Sequence, residues 1–123
     1  MQSIDYCVRC GRLMPARKKD RNPGKYCSKR CRRNPIRDLD RELERTIVAL
    51  LGVRAGGATI CPSEAARRVR ETDWRPLMEP TRQAARRLWC AGRIEILQRG
   101  RVVEPSRAAG PIRLRLARSW VGR

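Results

Sequence analysis

Apolar residues recur at helical spacing after the pair Asn34-Pro35. Asn is a favourable N-cap and Pro fits the first helical position, so this pair predicts the start of a helix. Charged residues occupy the other side of the same segment, and Gly52 with the pair at 56–57 predicts its end. The apolar stripe of this first predicted helix consists of Leu39, Leu43, Ile47, Leu50 and Leu51.

Two further helices are predicted downstream of a short extended piece at 59–60. The segment 61–64 reads Cys-Pro-Ser-Glu, with Pro at the first helical position and Glu at the third, and it predicts a helix to about Arg70. A connecting turn follows at 74–78, with Asp73 as its cap, and Pro80 then predicts a third helix that stops at Gly92. The third helix has an apolar face and a polar face. The apolar face carries Ala84, Ala85, Leu88 and Trp89, and the polar face carries Arg82, Gln83, Arg86 and Arg87.

The pattern changes from helical to alternating after Gly92. Segments 93–98 and 101–104 flank Arg99-Gly100 and predict a β-hairpin, and apolar residues then alternate with arginine over 112–116. Three helices followed by a hairpin predict a winged helix-turn-helix domain over residues 34–118, with a tail at 119–123. Together with an N-terminal zinc module, this predicts a small α+β protein.

In a winged helix the last helix enters the major groove of duplex nucleic acid and the hairpin touches the flanking backbone. The predicted contact residues are therefore Arg82, Gln83, Arg86 and Arg87 on the third helix, with Arg99 and Arg101 at the wing tip. Two alternatives stay open at this point. An arginine face is often only solvated, and winged helices also serve as protein-docking modules.

Four cysteines near the N-terminus have the spacing of a metal site. Cys7 and Cys10 form a Cys-x-x-Cys pair, Cys27 and Cys31 form a Cys-x-x-x-Cys pair, and 16 residues separate the pairs. Such pairs can present four sulfurs to one tetrahedral Zn²⁺, which leaves no open coordination position. The sequence predicts a structural, treble-clef-like zinc module over residues 1–33, with a tight turn at Gly11 and a short helix at the second pair.

The charge of the chain indicates the class of partner. Its formal net charge is +18, from 30 Lys and Arg against 12 Asp and Glu, and 26 of the basic residues are arginine. A GC-rich genome would also favour Arg over Lys, but it would leave the positive charge unchanged. A field this positive attracts polyanions, so nucleic acid or a nucleic-acid-bound machine is the expected partner.

Catalysis and membrane insertion are not expected from this sequence. An acid–base enzyme normally needs a His, or two carboxylates in a cleft. The chain has no His, and its acidic residues are scattered mainly along the first helix. No apolar run approaches the roughly 20 residues of a membrane span, and a cytoplasmic location is expected. Two cysteines outside the zinc set, Cys61 and Cys90, are expected to pack in the interior.

The N-terminal third resembles a small uncharacterised bacterial Cys₄ family. The resemblance rests on Cys-Val-Arg-Cys-Gly-Arg at 7–12, Arg-Lys-Lys at 17–19 and Lys-Tyr-Cys-Ser-Lys-Arg-Cys-Arg-Arg at 25–33. The cysteine frame is also similar to that of the short zinc proteins that inhibit bacterial DNA gyrase. Members of the Cys₄ family are often encoded near photolyase-like proteins, so the resemblance implies a DNA-repair accessory. Arg17, Lys18 and Lys19 join the candidate nucleic-acid contacts.

The rest of the chain resembles a second uncharacterised bacterial family with a predicted winged-helix fold. The motifs are Thr-Ile-Cys-Pro-Ser-Glu-Ala-Ala-Arg at 59–67, Trp-Arg-Pro-Leu-Met at 74–78 and Gly-Pro-Ile-Arg-Leu at 110–114. The prediction is a non-enzymatic zinc protein that binds nucleic acid, with duplex DNA favoured over RNA. The alternative is a protein-interaction factor that acts on a nucleic-acid enzyme, as the gyrase inhibitors do, or on the ribosome.

Overall fold

Four α-helices and four β-strands make up the part of the chain that the computed structural model describes, residues 6–14, 26–54 and 57–117. The helices are α1 (Lys29–Arg33), α2 (Asp38–Gly52), α3 (Pro62–Val69) and α4 (Met78–Cys90). The strands are β1 (Thr59–Ile60), β2 (Ile94–Gln98), β3 (Arg101–Val102) and β4 (Arg113–Leu116), and 3₁₀ turns lie at Arg75–Leu77 and Pro105–Arg107. The predicted small, mixed α+β class is confirmed.

Helix α2 begins three residues later than the pair Asn34-Pro35 predicts. Its N-cap is Arg37, whose backbone N–H donates to the Asp40 carboxylate at 2.8 Å. Asn34 instead ends α1, and its backbone N–H donates to the Cys31 carbonyl. A residue before proline is disfavoured in the α region, so the chain turns out of one helix here before it enters the next.

Helix α4 begins at Met78, two residues before Pro80. The 3₁₀ turn at Arg75–Leu77 runs directly into the helix, so Pro80 falls within the first turn, where a backbone N–H has no helical partner to lose. Asp73 does not cap the helix, because Leu77 holds the N-cap position. Asp73 adopts a positive φ of 56° in the preceding turn, a conformation that Asp tolerates better than most residues.

The sheet is antiparallel, with strand order β1-β4-β2-β3. The predicted hairpin is confirmed: β2 pairs with β3, and Arg99 and Gly100 form the two-residue turn with φ values of 55° and 80°. Positive φ at both turn positions matches the right-handed twist of the strands. Strand β4 lies between β1 and β2, so its alternating side chains have a neighbour on each side.

The helices cover one face of the sheet and enclose an aliphatic core. Alternation along β2 and β4 buries Ile94, Ile96 and Leu114 on this face, while Glu95 and Arg115 form a cross-strand ion pair on the other. The apolar stripe of α2 contributes Leu43 and Ile47, both fully enclosed. Among the helices of residues 6–14, 26–54 and 57–117, none combines the length and apolar character that a membrane crossing requires.

Candidate metal centre

The four N-terminal cysteines converge as their spacing predicts. All four sulfurs lie within 4.8 Å of one another, with Cys10 and Cys27 3.7 Å apart and Cys27 and Cys31 3.6 Å apart. Sulfurs at about 2.3 Å from a tetrahedral ion would be separated by about 3.8 Å. Both the donor set and its spacing therefore fit a metal ion.

Two local structures place these sulfurs. The first pair lies in a tight turn, where the Gly11 N–H donates to the Cys7 carbonyl at 2.8 Å and Gly11 has a φ of +77°. The second pair lies at the start of α1, where the Ser28 hydroxyl accepts the Cys31 N–H as an N-cap. The turn and the short helix are both as predicted from the sequence.

Hydrogen bonding and burial shift the pKa values of these thiols. The hydrogen bond from Cys10 lowers the pKa of Cys7 to about 4, and the same bond together with burial raises the pKa of Cys10. Burial also raises the pKa of Cys31. Four thiolates this close to one another would repel, so the four thiols lose their protons together only when a cation balances the charge.

The cysteine module, residues 6–14 and 26–33, lies against the polar face of α4. Arg9, inside the Cys-x-x-Cys turn, is only 8% exposed and reaches between α2 and α4. Its guanidinium donates to the Asn34 carbonyl at 2.7 Å, to the Gln83 side-chain oxygen at 2.8 Å and to the Asp40 carboxylate at 3.3 Å. One arginine thus connects the Cys-x-x-Cys turn to both helices.

The closest approach is between Gly11 and Arg86. A Cβ at Gly11 would overlap the Cβ of Arg86 and lie 2.8 Å from its carbonyl carbon, so only glycine fits there. Arg86 is 6% exposed and donates to the Cys10 carbonyl at 2.6 Å and to the Glu79 carboxylate at 3.0 Å. The backbone carbonyl of Cys10, a candidate metal ligand, therefore accepts a hydrogen bond directly from a guanidinium of α4.

Arg87 makes the equivalent contact on the α2 side. Its guanidinium donates to the Arg9 carbonyl at 2.5 Å and forms an ion pair with Glu44 at 2.6 Å. The edge of the contact is closed by the Tyr6 and Trp89 rings, whose centroids lie 5.2 Å apart in an edge-to-face arrangement. We call the residues of α4 that contact the cysteine module, namely Gln83, Arg86, Arg87 and Cys90, the docking face of α4.

This packing corrects the expectation that the polar face of the third helix is open to a duplex. A guanidinium enclosed by its own chain has no reach to a base edge, and this applies to Arg86 and to the side chain of Arg87. Arg82 is half-buried and donates to the Gly110 carbonyl at 2.9 Å. Of the predicted contacts in the described part, Arg99 and Arg101 at the wing tip are exposed. Arg17, Lys18 and Lys19 lie outside the described residues.

The two remaining cysteines are less enclosed than expected. Cys61 is half-buried and accepts a hydrogen bond from the Ser63 hydroxyl at 3.1 Å, and Cys90 is exposed at the edge of the docking face. Each lies at a helix end, where the surrounding elements cover only part of the side chain. Neither belongs to the four-sulfur cluster.

Sequence reasoning missed Arg9, Asp40 and Glu44. Arg9 lies between Cys7 and Cys10, whose spacing indicates a metal site but gives no signal for the arginine itself. Asp40 and Glu44 belong to the charged side of α2. The Arg9–Asp40 and Glu44–Arg87 contacts join residues 31 and 43 positions apart in the chain. No short-range pattern signals such contacts.

The fold and site define a small α+β protein with a helix–sheet domain and a four-cysteine candidate metal centre docked on its last helix. Residues 40–117 match the family model described as Protein of unknown function (DUF3253). The match covers more than half of the chain, so the protein belongs to that family. The four clustered cysteines lie outside the matched range. No curated protein matches the chain.

Proposed function

We propose that this protein is a non-enzymatic, zinc-containing nucleic-acid-binding protein built on a winged-helix domain. The element order supports the winged helix: α2, α3 and α4 are followed by the β2–β3 hairpin, and β4 returns between β1 and β2. In such domains the hairpin and the turn before the last helix lie beside the nucleic-acid backbone.

The metal of the cysteine cluster is proposed to be one Zn²⁺. Four thiolates in tetrahedral spacing favour zinc among ions without redox chemistry, and four protein ligands leave no position for a substrate. The metal would hold Cys7 and Cys10 to Cys27 and Cys31, and so stabilise a module that has little core. Its role is structural, in keeping with a binding protein.

The observation that carries the proposal is the excess of exposed arginines that have no ion pair in the described ranges. The carboxylates of Asp40, Glu44, Glu64, Glu79 and Glu95 are all held in ion pairs with arginine. Many arginines are left exposed without an ion pair in the described ranges, on α1, on α3 and on the wing. They include Arg30, Arg32, Arg33, Arg67, Arg68, Arg99 and Arg101. Exposed arginines without an ion pair thus outnumber the exposed unpaired acidic residues of the described ranges, Asp38, Glu42, Glu71 and Asp73, and this excess suits a polyanionic partner.

The docked module favours backbone contact over base reading. With the docking face covered, the exposed arginines that remain are spread over several elements of the described chain and not concentrated on one groove-sized helix. Contacts of this kind position a protein on the phosphate backbone but carry little sequence information. We therefore propose binding with low sequence specificity, to duplex DNA in preference to RNA.

The test is binding of the purified, metal-loaded protein to labelled DNA and RNA duplexes of several sequences. Affinity for DNA should fall at least several-fold between about 50 and 200 mM salt and should differ little among sequences. Absence of binding to any duplex at 50 mM salt would overturn the proposal. The wing variant Arg99→Ala/Arg101→Ala should weaken binding more than the single change Arg30→Ala on α1.

A second candidate function is protein docking on a nucleic-acid enzyme or on the ribosome. The observation that favours it is the docking face itself, because α4 already holds a polypeptide segment through arginine-to-carbonyl bonds. Binding to nucleic acid only when a protein partner is present would favour this second function over the first.

A further inference from the structure

A tryptophan at the turn between α3 and α4 holds two arginines beside its ring. The guanidinium carbon of Arg67, on α3, lies 4.3 Å from the centroid of the Trp74 ring, and that of Arg75 lies 4.9 Å from the same centroid. Both distances are within the range of cation–π attraction. Two like charges are therefore held close together by one aromatic side chain.

Neither guanidinium has an acceptor elsewhere in the described part of the chain. Arg67 and Arg75 are both exposed and form no ion pair there, whereas Arg9, Arg86 and Arg87 are enclosed and fully engaged. A guanidinium offers five N–H donors and accepts none, and stacking on a ring leaves those donors free. The Trp74 site thus presents ordered donors and unbalanced positive charge to solvent.

The surrounding turn limits the motion of this site. The Arg70 guanidinium donates to the Asp73 carbonyl at 3.4 Å, and the Leu77 N–H donates to the Trp74 carbonyl at 2.8 Å. Glu71 and Asp73 are exposed in the same turn, but neither pairs with Arg67 or Arg75. Ordering the side chains in advance lowers the entropy lost on binding.

We propose that Arg67, Trp74 and Arg75 form a phosphate-binding site for the backbone of a nucleic acid. The proposal rests on the proposed function and gives it a place in the fold. The two guanidiniums bind the oxygens of one or two adjacent phosphodiesters, and Trp74 orients them without taking part in a charge pair. Arginine suits this role because its planar donors match phosphate geometry.

The first experiment compares two double variants of the metal-loaded full chain with the same loss of charge. Arg67→Gln/Arg75→Gln removes the site, and Arg45→Gln/Arg107→Gln removes two exposed arginines that have no aromatic contact in the described ranges. The site variant should bind duplex DNA about tenfold or more weakly than wild type and reduce the salt slope by about 1–2, in line with loss of defined phosphate contacts. The control variant should lose about threefold or less. Equal losses from the two variants would overturn the proposal.

A second variant leaves the charge unchanged. Trp74→Leu keeps both arginines but removes the ring that orients them, so affinity should fall several-fold while net charge and metal content stay the same. Unchanged affinity in a folded Trp74→Leu protein would contradict the role of the ring. If this variant fails to fold, the arginine comparison still decides the question, because both of its substitution pairs are on exposed side chains.

A third measurement separates the sources of phosphate. Guanidinium N–H signals of Arg67 and Arg75, assigned by their loss in the single variants, should shift in NMR titrations with a DNA duplex and less with inorganic pyrophosphate at equal phosphate concentration. A shift with pyrophosphate but not with DNA would overturn the backbone assignment. If the wild-type protein binds DNA but the signals of these two arginines do not shift, the proposed phosphate site is wrong and the proposed function is unaffected. No DNA binding at all would remove both.

Discussion

The cysteine module encloses a cluster of three buried side chains, Cys7, Cys10 and Met14, whereas the domain from α2 onward encloses a cluster of thirteen. The module lacks the apolar area that ordinarily stabilises a fold, since each large aliphatic side chain contributes about 1.5–3 kcal/mol on burial. It depends instead on four sulfurs and on polar contacts with a helix of the other region. The comparison shows that arginine occurs in two separate environments here, one at the interior contact and one at the surface.

The interior contact differs from an ordinary surface ion pair. Arg9 and Arg86 donate to backbone carbonyls as well as to carboxylates, so their charge is distributed over several acceptors. Bonds of this kind require that both partners be held in place, because an unpaired buried guanidinium is costly. The two regions are consequently expected to affect each other's stability, although their cores are separate.

The largest expected effect comes from breaking the metal cluster. Cys27→Ser or chelation should remove the metal and unfold the module, because the binding energy of structural zinc, about 10–16 kcal/mol, is also folding energy. The domain should stay folded with a lower melting temperature, since the contacts to α4 are lost. Elemental analysis and circular dichroism would measure the two effects. Cys61→Ser, outside the cluster, should retain the metal, and full metal content in Cys27→Ser would contradict the assigned ligands.

A cavity in the aliphatic core tests the other region. Leu43→Ala removes a fully buried side chain of α2 and should lower the free energy of unfolding by about 2–5 kcal/mol, without changing metal content. Arg45→Ala, exposed on the same helix, should change it by about 0.5 kcal/mol or less. Denaturant titrations followed by circular dichroism provide the values. Loss of metal from the Leu43→Ala protein in its folded state would mean that the two cores are not separate.

The contact between the regions is tested by a matched pair of glycine variants. Gly11→Ala places a Cβ against Arg86, whereas Gly92→Ala places a Cβ in open space. The two glycines have nearly the same φ, +77° and +76°. Both variants carry the strain of a left-handed residue, about 1–2 kcal/mol. Gly11→Ala should cost about 1–3 kcal/mol more because the contact is overpacked.

Hydrogen exchange can locate the extra cost. Amides of the docking face on α4 should exchange faster in Gly11→Ala than in Gly92→Ala, with the metal still bound in both. Equal stability of the two variants would indicate that the module does not press on α4 in solution.

The smallest expected effect is a pH dependence confined to the domain. The hydrogen bond from Arg54, together with the Cys61 N–H, lowers the pKa of Glu64 below its ordinary value of 4.5. A carboxylate with a lowered folded-state pKa stabilises the protein above pH 4.5, and the contribution is lost as the pH falls through the lower value. Glu64→Gln should therefore cost about 0.2–1 kcal/mol at pH 7 and nothing at low pH. Glu71→Gln, on an exposed residue without an ion pair in the described ranges, is the control for urea titrations at both pH values.

Much of the fold follows from local patterns. The period of the apolar residues in α2, Pro62 and Glu64 at the start of α3, and Arg99-Gly100 between two alternating segments each act over a few residues, and their elements form where predicted. The starts of α2 and α4 differ from the prediction by three and two residues, because the nearby prolines and a 3₁₀ turn constrain the same stretch of backbone. The cysteine spacing likewise predicted the four-sulfur cluster, since two short-range pairs need only one loop to bring them together.

The tertiary structure alone decided what the arginines do. A basic face on an amphipathic helix satisfies the same sequence pattern whether it faces water, a phosphate backbone or another part of the chain. Arg86 and Arg87 bond to residues more than 70 positions away in the chain. Arg67 and Arg75 instead contact the ring of Trp74, which is close to both in the sequence. Charge is a property of the sequence, but burial depends on which surfaces meet. Only the folded chain therefore separates the arginines that hold the protein together from those left exposed at the surface.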